Sequence, residues 1–219
     1  MIDIAITDII MRFVRANRKP RVVGIYYPSE LFWCLRKLYY DYTIGKDRDL
    51  DAMLKMMAGN LMHSFISNIL KWAVSVGVIK SADSEVEYEY EFNGIKISGK
   101  ADDIVILSFS DFDEKCVIEV KSVSEFPDKP RIEHIAQLNF YLYFNKDAVG
   151  YLLYIKRDDF TMKAYDYKFS EDLFKSLVSR AEKLHSHLIS NSLPEREVYH
   201  GECWRCIYRN ICFSSQKSI

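Results

Sequence analysis

The residues with the greatest chemical reach sit in one short segment, Cys116 to Val123, which reads CVIEVKSV. Its β-branched residues describe a buried strand, yet Glu119 and Lys121 stand two positions apart within it. On a strand, residues i and i+2 share a face, so carboxylate and ammonium point together while Ile118 and Val120 point the other way. The preceding apolar run carries Asp102, and a polar turn at 110–114 folds the two runs antiparallel, which brings a second carboxylate toward Glu119. Two carboxylates at close range repel unless they share a cation, and Mg²⁺ or Mn²⁺ prefers oxygen ligands of this kind. A cation held there polarises a phosphoryl oxygen and acidifies a bound water, with Lys121 placed to orient that water or to stabilise developing negative charge. The chemistry outlined is phosphodiester hydrolysis. Taken alone, the strand favours a plainer reading, a solvated Glu119–Lys121 pair worth about 0–1 kcal/mol.

A second constellation is made of thiols. Cys203-Trp-Arg-Cys206 is followed by Cys212, and Cys34 lies far upstream in FWCLRKLYY. The CxxC spacing lets several thiolates converge on a thiophilic metal. Cys34 completes a four-thiolate site that would clamp the N-terminal helices to the C-terminal tail. Such a site suits tetrahedral Zn²⁺ as well as an iron–sulfur cluster. The remaining cysteine, Cys116, falls on the Ile118 side of its strand and reads as core packing. Five cysteines, an odd number, argue against a disulfide framework.

The elements that must position these groups follow from periodicity. Residues 3–17 read as an amphipathic helix with its stop at Arg18–Pro20, and a second helix is expected from Ser29 through LFWCLRKLYYDY. Apolar spacing of three and four from Asp49 to Val76 predicts a long helix carrying His63, bent near Gly59. After Ser81 the period becomes two: EVEYEYEF, IKIS, ADDIVILSF and KCVIEVKSV read as consecutive strands of an antiparallel meander, turning at Asn93–Gly94 and at SDFDE. Helices at 131–144 and 171–189 flank a strand pair, VGYLLYI and TMKAYDYKF. This order predicts an α/β core with a mixed sheet flanked by helices. The expected organisation is a single domain over 1–219, with N-terminal helices at 1–48, a core at 49–190 and a cysteine segment at 191–219.

Composition narrows the class. With 49% hydrophobic and 28% charged residues in 219, and only 8 Gly and 5 Pro, the chain has the material for one well-cored domain. A net charge of −1 supplies no global attraction to polyanions, so a nucleic-acid partner must be held by a local basic patch or through metals. Arg36, Lys37, Lys129 and Arg131 are candidate phosphate contacts, and equally candidate solvated surface. No signal peptide and no run approaching the roughly 20 apolar residues of a membrane span is read, so the cytoplasm is the expected compartment. Gly94 to Lys100 mimics a P-loop, but Ala101 stands where Ser or Thr should bind Mg²⁺ and the intervening residues alternate as a strand. It reads as a chance match.

Four motifs occur in order: His63 in GNLMH, Gly99-Lys-Ala-Asp102, Glu119-Val-Lys121 and Gln137-Leu-Asn-Phe-Tyr141. Their conjunction across 59–141 resembles the RecB-type branch of the PD-(D/E)XK nucleases, with a restriction-endonuclease-like core. With the split cysteines included, nearly the whole chain is similar to the CRISPR-associated RecB-like exonucleases, the fourth Cas family. The resemblance implies His63, Asp102, Glu119 and the Val120 carbonyl as metal ligands, Lys121 as the catalytic lysine, and Gln137 and Tyr141, one helical turn apart, on the DNA side. It makes the thiol site at Cys34, Cys203, Cys206 and Cys212 a 4Fe–4S cluster that staples the ends of the fold, with Zn²⁺ as the alternative. The activity it implies is a metal-dependent DNA exonuclease that cuts single strands, often from the 5′ end, and processes spacer precursors with the CRISPR integrase. A repair nuclease partnering a helicase, and a non-catalytic DNA-binding protein, are the competing readings. Self-association stays open. Asp103 points away from Glu119 and reads as structural or exposed; His134, one turn before Gln137, is placed to approach the same pocket but weighs less for it than for solvated surface.

Overall fold

The computed structural model describes residues 2–16, 21–45, 50–197 and 202–214. Helix α1 spans Ile2–Ala16; strand β1, Ile25–Tyr26; α2, Leu35–Thr43; α3, Leu50–Ser75; β2, Ser81–Phe92; β3, Ile95–Ser108; β4, Asp113–Val123; α4, Ile132–Tyr143; β5, Val149–Lys156; β6, Met162–Tyr167; α5, Glu171–Ile189; α6, Glu202–Arg205; and α7, Arg209–Ser214. The expected stop at Arg18–Pro20 and the expected start at Asp49 lie outside the described residues.

The strands form one mixed sheet in the order β1-β3-β4-β5-β6, with β2 along the other edge of β3. The antiparallel meander is present as β2-β3-β4. The two segments IKIS and ADDIVILSF prove to be one strand, β3, because the alternation continues through Gly99 without a turn. Asn93 and Gly94 both adopt positive φ, 47° and 75°, the pair of left-handed residues that a two-residue hairpin of matching twist requires. From β4 the chain crosses over through α4 and returns as β5, parallel to β4, while β6 closes the sheet antiparallel.

Helices cover both faces. On one, α2, α4 and α5 enclose the larger core with Leu38, Leu138, Phe140, Leu177 and Leu184, all fully buried or nearly so. On the other, α3 covers Cys116, Ile118 and Val120 with Ala73, Leu70 and Ile66. Strand alternation thus sorts β4 as its sequence predicts, with Cys116 a core residue whose burial pushes its thiol up to about 11. Ser170 caps α5 by accepting from the Leu173 N–H at 3.3 Å, with Glu171 and Asp172 in the first turn favouring the helix dipole. The Asn139 side chain pairs with both backbone groups of Ser170, at 2.8 and 2.9 Å, locking α4 to the start of α5.

A further expectation needs correction. Helix α2 begins at Leu35 instead of Ser29, because residues 27–33 close successive turns, Glu30 N–H to Tyr27 O and Trp33 N–H to Glu30 O, and Glu30 is drawn inward to Arg21 and Tyr42. Gly59 marks a close approach within an unbroken α3: a Cβ there would stand 3.4 Å from Ser122 Oγ. Among the described residues no helix is long and apolar enough to cross a membrane.

Candidate active site

The sheet forks at the predicted residues. Pairing between β3 and β4 runs from Ser108↔Asp113 to Asp103↔Ile118 and stops there, while β1 pairs with β3 only at Lys96 and Ile97. The edge of β3 between these contacts, including Gly99 and Asp102, is free of a neighbouring strand, and β4 continues past it to pair with β5. The Val120 N–H, left without β3, donates to Asp102 Oδ2 at 2.8 Å, so a side chain replaces the missing backbone partner. The other edge of β3 is disturbed at the same rung. The ladder skips from Ser84↔Asp103 to Val86↔Ala101, with Glu85 at φ 56° opposite Asp102. Such local irregularity, unfavourable by itself, concentrates where side chains must be aimed.

Helix α3 brings His63 to this fork, its Nδ1 3.0 Å from Asp102 Oδ1. Lys121 Nζ donates to Glu119 Oε1 at 2.6 Å and to Gln137 Oε1 at 2.8 Å, and Gln137 Nε2 donates to Tyr141 OH at 3.3 Å. The structure therefore joins His63, Asp102, Glu119, Lys121, Gln137 and Tyr141 in one polar cluster. Gln137 and Tyr141 sit behind Lys121: Tyr141 is 1% exposed and steers Gln137, and Gln137 holds the lysine. Gly99 makes room for this relay, since a Cβ there would meet Tyr141 Oη at 2.9 Å and Pro28 Cγ at 2.8 Å.

Glu119 is 0% exposed, and its Oε2 is buried without a hydrogen-bond partner. Burial, then repulsion from Asp102, push its carboxyl up to about 7, against the opposing pull of Lys121 and His63. His63 loses hydration on burial, which alone would lower its pKa, but the hydrogen bond and charge of Asp102 outweigh that and hold it above the ordinary imidazole value. Asp103 has the opposite fate to its neighbour: it is fully buried, accepting from Ser67 Oγ at 3.0 Å and Ser84 Oγ at 2.7 Å, and reads as structural.

His134 departs from the expected solvated position. Its Nδ1 lies 2.9 Å from Tyr154 OH, and burial, aided by the charges of Lys121 and Arg131, holds it far below the ordinary imidazole range, so it is neutral. The sequence carried no signal for this, because Tyr154 comes from the next strand. Of the four candidate phosphate contacts, Arg36 is bound to the Pro194 carbonyl at 2.7 Å and Lys37 to Asp41 at 3.1 Å, over the Trp33 ring. Lys129 and Arg131 are exposed.

The donor types at the fork fit a hard divalent cation. Glu119 offers an unpartnered oxygen, and burial first, then Asp102, raises its carboxyl against the pull of Lys121 and His63. As placed, however, no three or more His, Cys, Asp or Glu side chains among the described residues are grouped so that they could hold a metal ion. Here Lys121 and His63 supply the compensating partners of the two acids.

The four predicted thiols, Cys34, Cys203, Cys206 and Cys212, lie around one cleft of about 1100 Å³ between α2, the start of α4 and the C-terminal helices. Burial raises the Cys206 thiol, and Cys34 and Cys212 are near enough to raise it further. The donors are soft, the type a thiophilic metal takes, but among the described residues no three of them are grouped so that they could hold one. What ties the chain ends together among the described residues is a different network. Glu197 accepts both Arg180 Nη1 and Nη2 at 3.0 Å and the Leu35 N–H at 2.8 Å, and Arg180 also donates to the Leu31 and Trp33 carbonyls. Tyr208 OH adds a bond to Asp41 Oδ1 at 2.9 Å.

The fold and fork define the chain as a mixed-sheet α/β protein with a buried acid–lysine site at a strand bifurcation. No family model and no curated protein matches it. Among solved structures it is similar to SSO0001, with a TM-score of 0.67 and 24% identity over 97% of this chain and 96% of that one, which establishes a shared fold across nearly the full length. An alkaline exonuclease, LHK-Exo from Laribacter hongkongensis, matches at a TM-score of 0.45 and 13% identity over 77% of this chain and 90% of that chain, as does the same exonuclease in complex with dAMP.

Proposed function

We propose that the chain is a metal-dependent deoxyribonuclease that hydrolyses phosphodiesters at the fork. The observation that carries this reading is Glu119: a fully buried carboxylate with one oxygen unpartnered, set against Asp102 and gripped by a lysine. A structural ion pair has no use for an orphaned oxygen in a dry site, which costs about 1–3 kcal/mol. Asp102 and Glu119, with His63 and the Val120 carbonyl, would hold Mg²⁺ or Mn²⁺. When bound, the ion supplies Lewis acidity toward a phosphoryl oxygen and a more acidic water. Lys121, fixed by Glu119 and Gln137, holds its ammonium where it can orient a nucleophilic water and meet developing charge on phosphate.

The finer reading, resting on the motif resemblance, is a single-strand exonuclease acting 5′ to 3′ in spacer-precursor processing beside the CRISPR integrase, in the cytoplasm. For the thiols it proposes a 4Fe–4S cluster, with Zn²⁺ as the alternative; their placement around one cleft supports a thiophilic centre of either kind.

The test is degradation of end-labelled single-stranded and duplex DNA with Mn²⁺, Mg²⁺ or EDTA, comparing wild type with Glu119→Ala and Lys121→Ala. Cation-dependent cleavage by wild type alone is expected, and equal cleavage by all three would overturn the assignment. Anaerobically purified protein should be brown and lose its colour in Cys206→Ser; a colourless, zinc-loaded protein would select the alternative.

A further inference from the structure

Helix α3 is apolar on two faces. One packs on the sheet through Ile66, Leu70 and Ala73 and presents His63 and Ser67 to the fork. At 100° per residue, Leu54, Leu61, Phe65, Ile69, Trp72 and Val76 fall within an arc of about 80° on the opposite side. All six are substantially exposed, Leu61 by 72% and Trp72 by 61%. The stripe runs for about 33 Å at 1.5 Å per residue. Phe65 meets Phe160 edge-on at 5.8 Å, which extends the apolar surface onto the β5–β6 turn and Met162. Ordinary side-chain areas scaled by these exposures amount to roughly 800 Å², above the roughly 300–600 Å² of the largest patch on a typical monomer and equal to one partner's share of a standard interface.

An exposed apolar patch of this size marks an interaction surface. The chemistry of the stripe indicates with what. Between Lys55 and Lys71 the chain has no Asp, Glu, Lys or Arg, and the polar border of the stripe is Asn60, Ser64 and Asn68. Nucleic acid would need cations there, and an anionic lipid surface would need a basic border. An uncharged apolar ridge can face its own copy without like-charge repulsion, which an isologous interface demands.

We propose that this stripe is a homodimer interface, α3 packing antiparallel along α3 of a second copy with the two-fold axis near Phe65, the midpoint of the stripe. His63 lies on the far side of the same helix, so the dimer buttresses the element that carries it while leaving the fork open. The inference is independent of the nuclease reading.

The test is sedimentation of the full chain beside Leu61→Glu and Trp72→Glu. Both side chains are mostly in solvent within one copy, so the variants keep cooperative unfolding. Wild type should sediment as a dimer at micromolar concentration, and each glutamate should weaken dimerisation by about 100-fold or more, since it buries an unpaired charge in a desolvated seam. Phe65→Cys should give a covalent dimer on mild oxidation that wild type, with its native cysteines, does not. A monomeric wild type, or a dimer that survives both glutamates, would overturn the proposal; a dimer in which the Phe65→Cys variant fails to cross-link would overturn the antiparallel placement.

Discussion

Replacing Glu119 by Gln should stabilise the metal-free protein at alkaline pH while removing its response to metal. The carboxyl is fully buried, with its pKa moved from 4.5 to about 7, chiefly by desolvation and by Asp102. Because the folded-state value lies above the unfolded one, folding favours the protonated acid. That contribution is complete below about pH 4.5 and is lost as pH rises through about 7. The shift corresponds to about 3 kcal/mol between pH 5 and pH 8, at 1.36 kcal/mol per pH unit. Glutamine is neutral at every pH and its carbonyl still accepts from Lys121, so the variant escapes the penalty. His63, also raised, likewise loses stability as pH rises through its folded pKa; part of its rise comes from the Glu119 charge, so the difference between the two proteins reads Glu119 together with its coupling to His63. A divalent cation reverses the balance by favouring the ionised acid and releasing its proton. Urea unfolding at pH 5 and pH 8, in EDTA and in Mn²⁺, measures all of this. Glu119→Gln should exceed wild type by about 1–3 kcal/mol at pH 8 in EDTA, and Mn²⁺ should stabilise wild type alone. A variant less stable than wild type under those conditions, or Mn²⁺ stabilising both equally, would refute the assignment of Glu119 as a carboxylate waiting for a cation.

Other perturbations separate scaffold from site. Asp103→Asn puts an amide among two donating hydroxyls, Ser67 and Ser84, and should cost about 1–3 kcal/mol in urea unfolding while preserving cleavage per folded molecule. Gly99→Ala drives a methyl into Tyr141 Oη and Pro28, costing about 1–3 kcal/mol and lowering cleavage through Lys121. Adding Tyr141→Phe should recover part of that stability, and strict additivity of the two changes in a double-mutant cycle would argue against the contact. Arg180→Ala removes the bidentate partner of Glu197 and two carbonyl contacts, and should expose residues 190–197 to limited proteolysis well before the sheet unfolds.

What was legible in the sequence was what local periodicity encodes. Alternation placed Glu119 and Lys121 on one face and Cys116 on the other, and spacing of three and four located α3, α4 and α5. Strand β1 escaped because two residues carry no period, and α2 started late because Glu30 is recruited by Arg21 and Tyr42, partners that local propensity cannot see. The same limit hid the His134–Tyr154 pair and the Arg180–Glu197 clamp, each made between groups distant in the chain or brought together only by the fold.

Asp102 and Asp103 carry the argument for a site furthest. They are identical in chemistry and adjacent in sequence, and strand geometry sends them to opposite faces. The fold saturates Asp103 with two hydroxyls, as it must for a buried carboxylate that has no further task. Around Asp102 it does the reverse. It splits the β3–β4 ladder, leaves the Val120 N–H to a side chain, and places a second buried carboxylate nearby with one oxygen unsatisfied. A sheet under selection for stability alone would have closed the ladder and paired that oxygen. The stability surrendered at the fork, set beside the two hydroxyl partners one residue away, is the observation on which the proposed cation site rests.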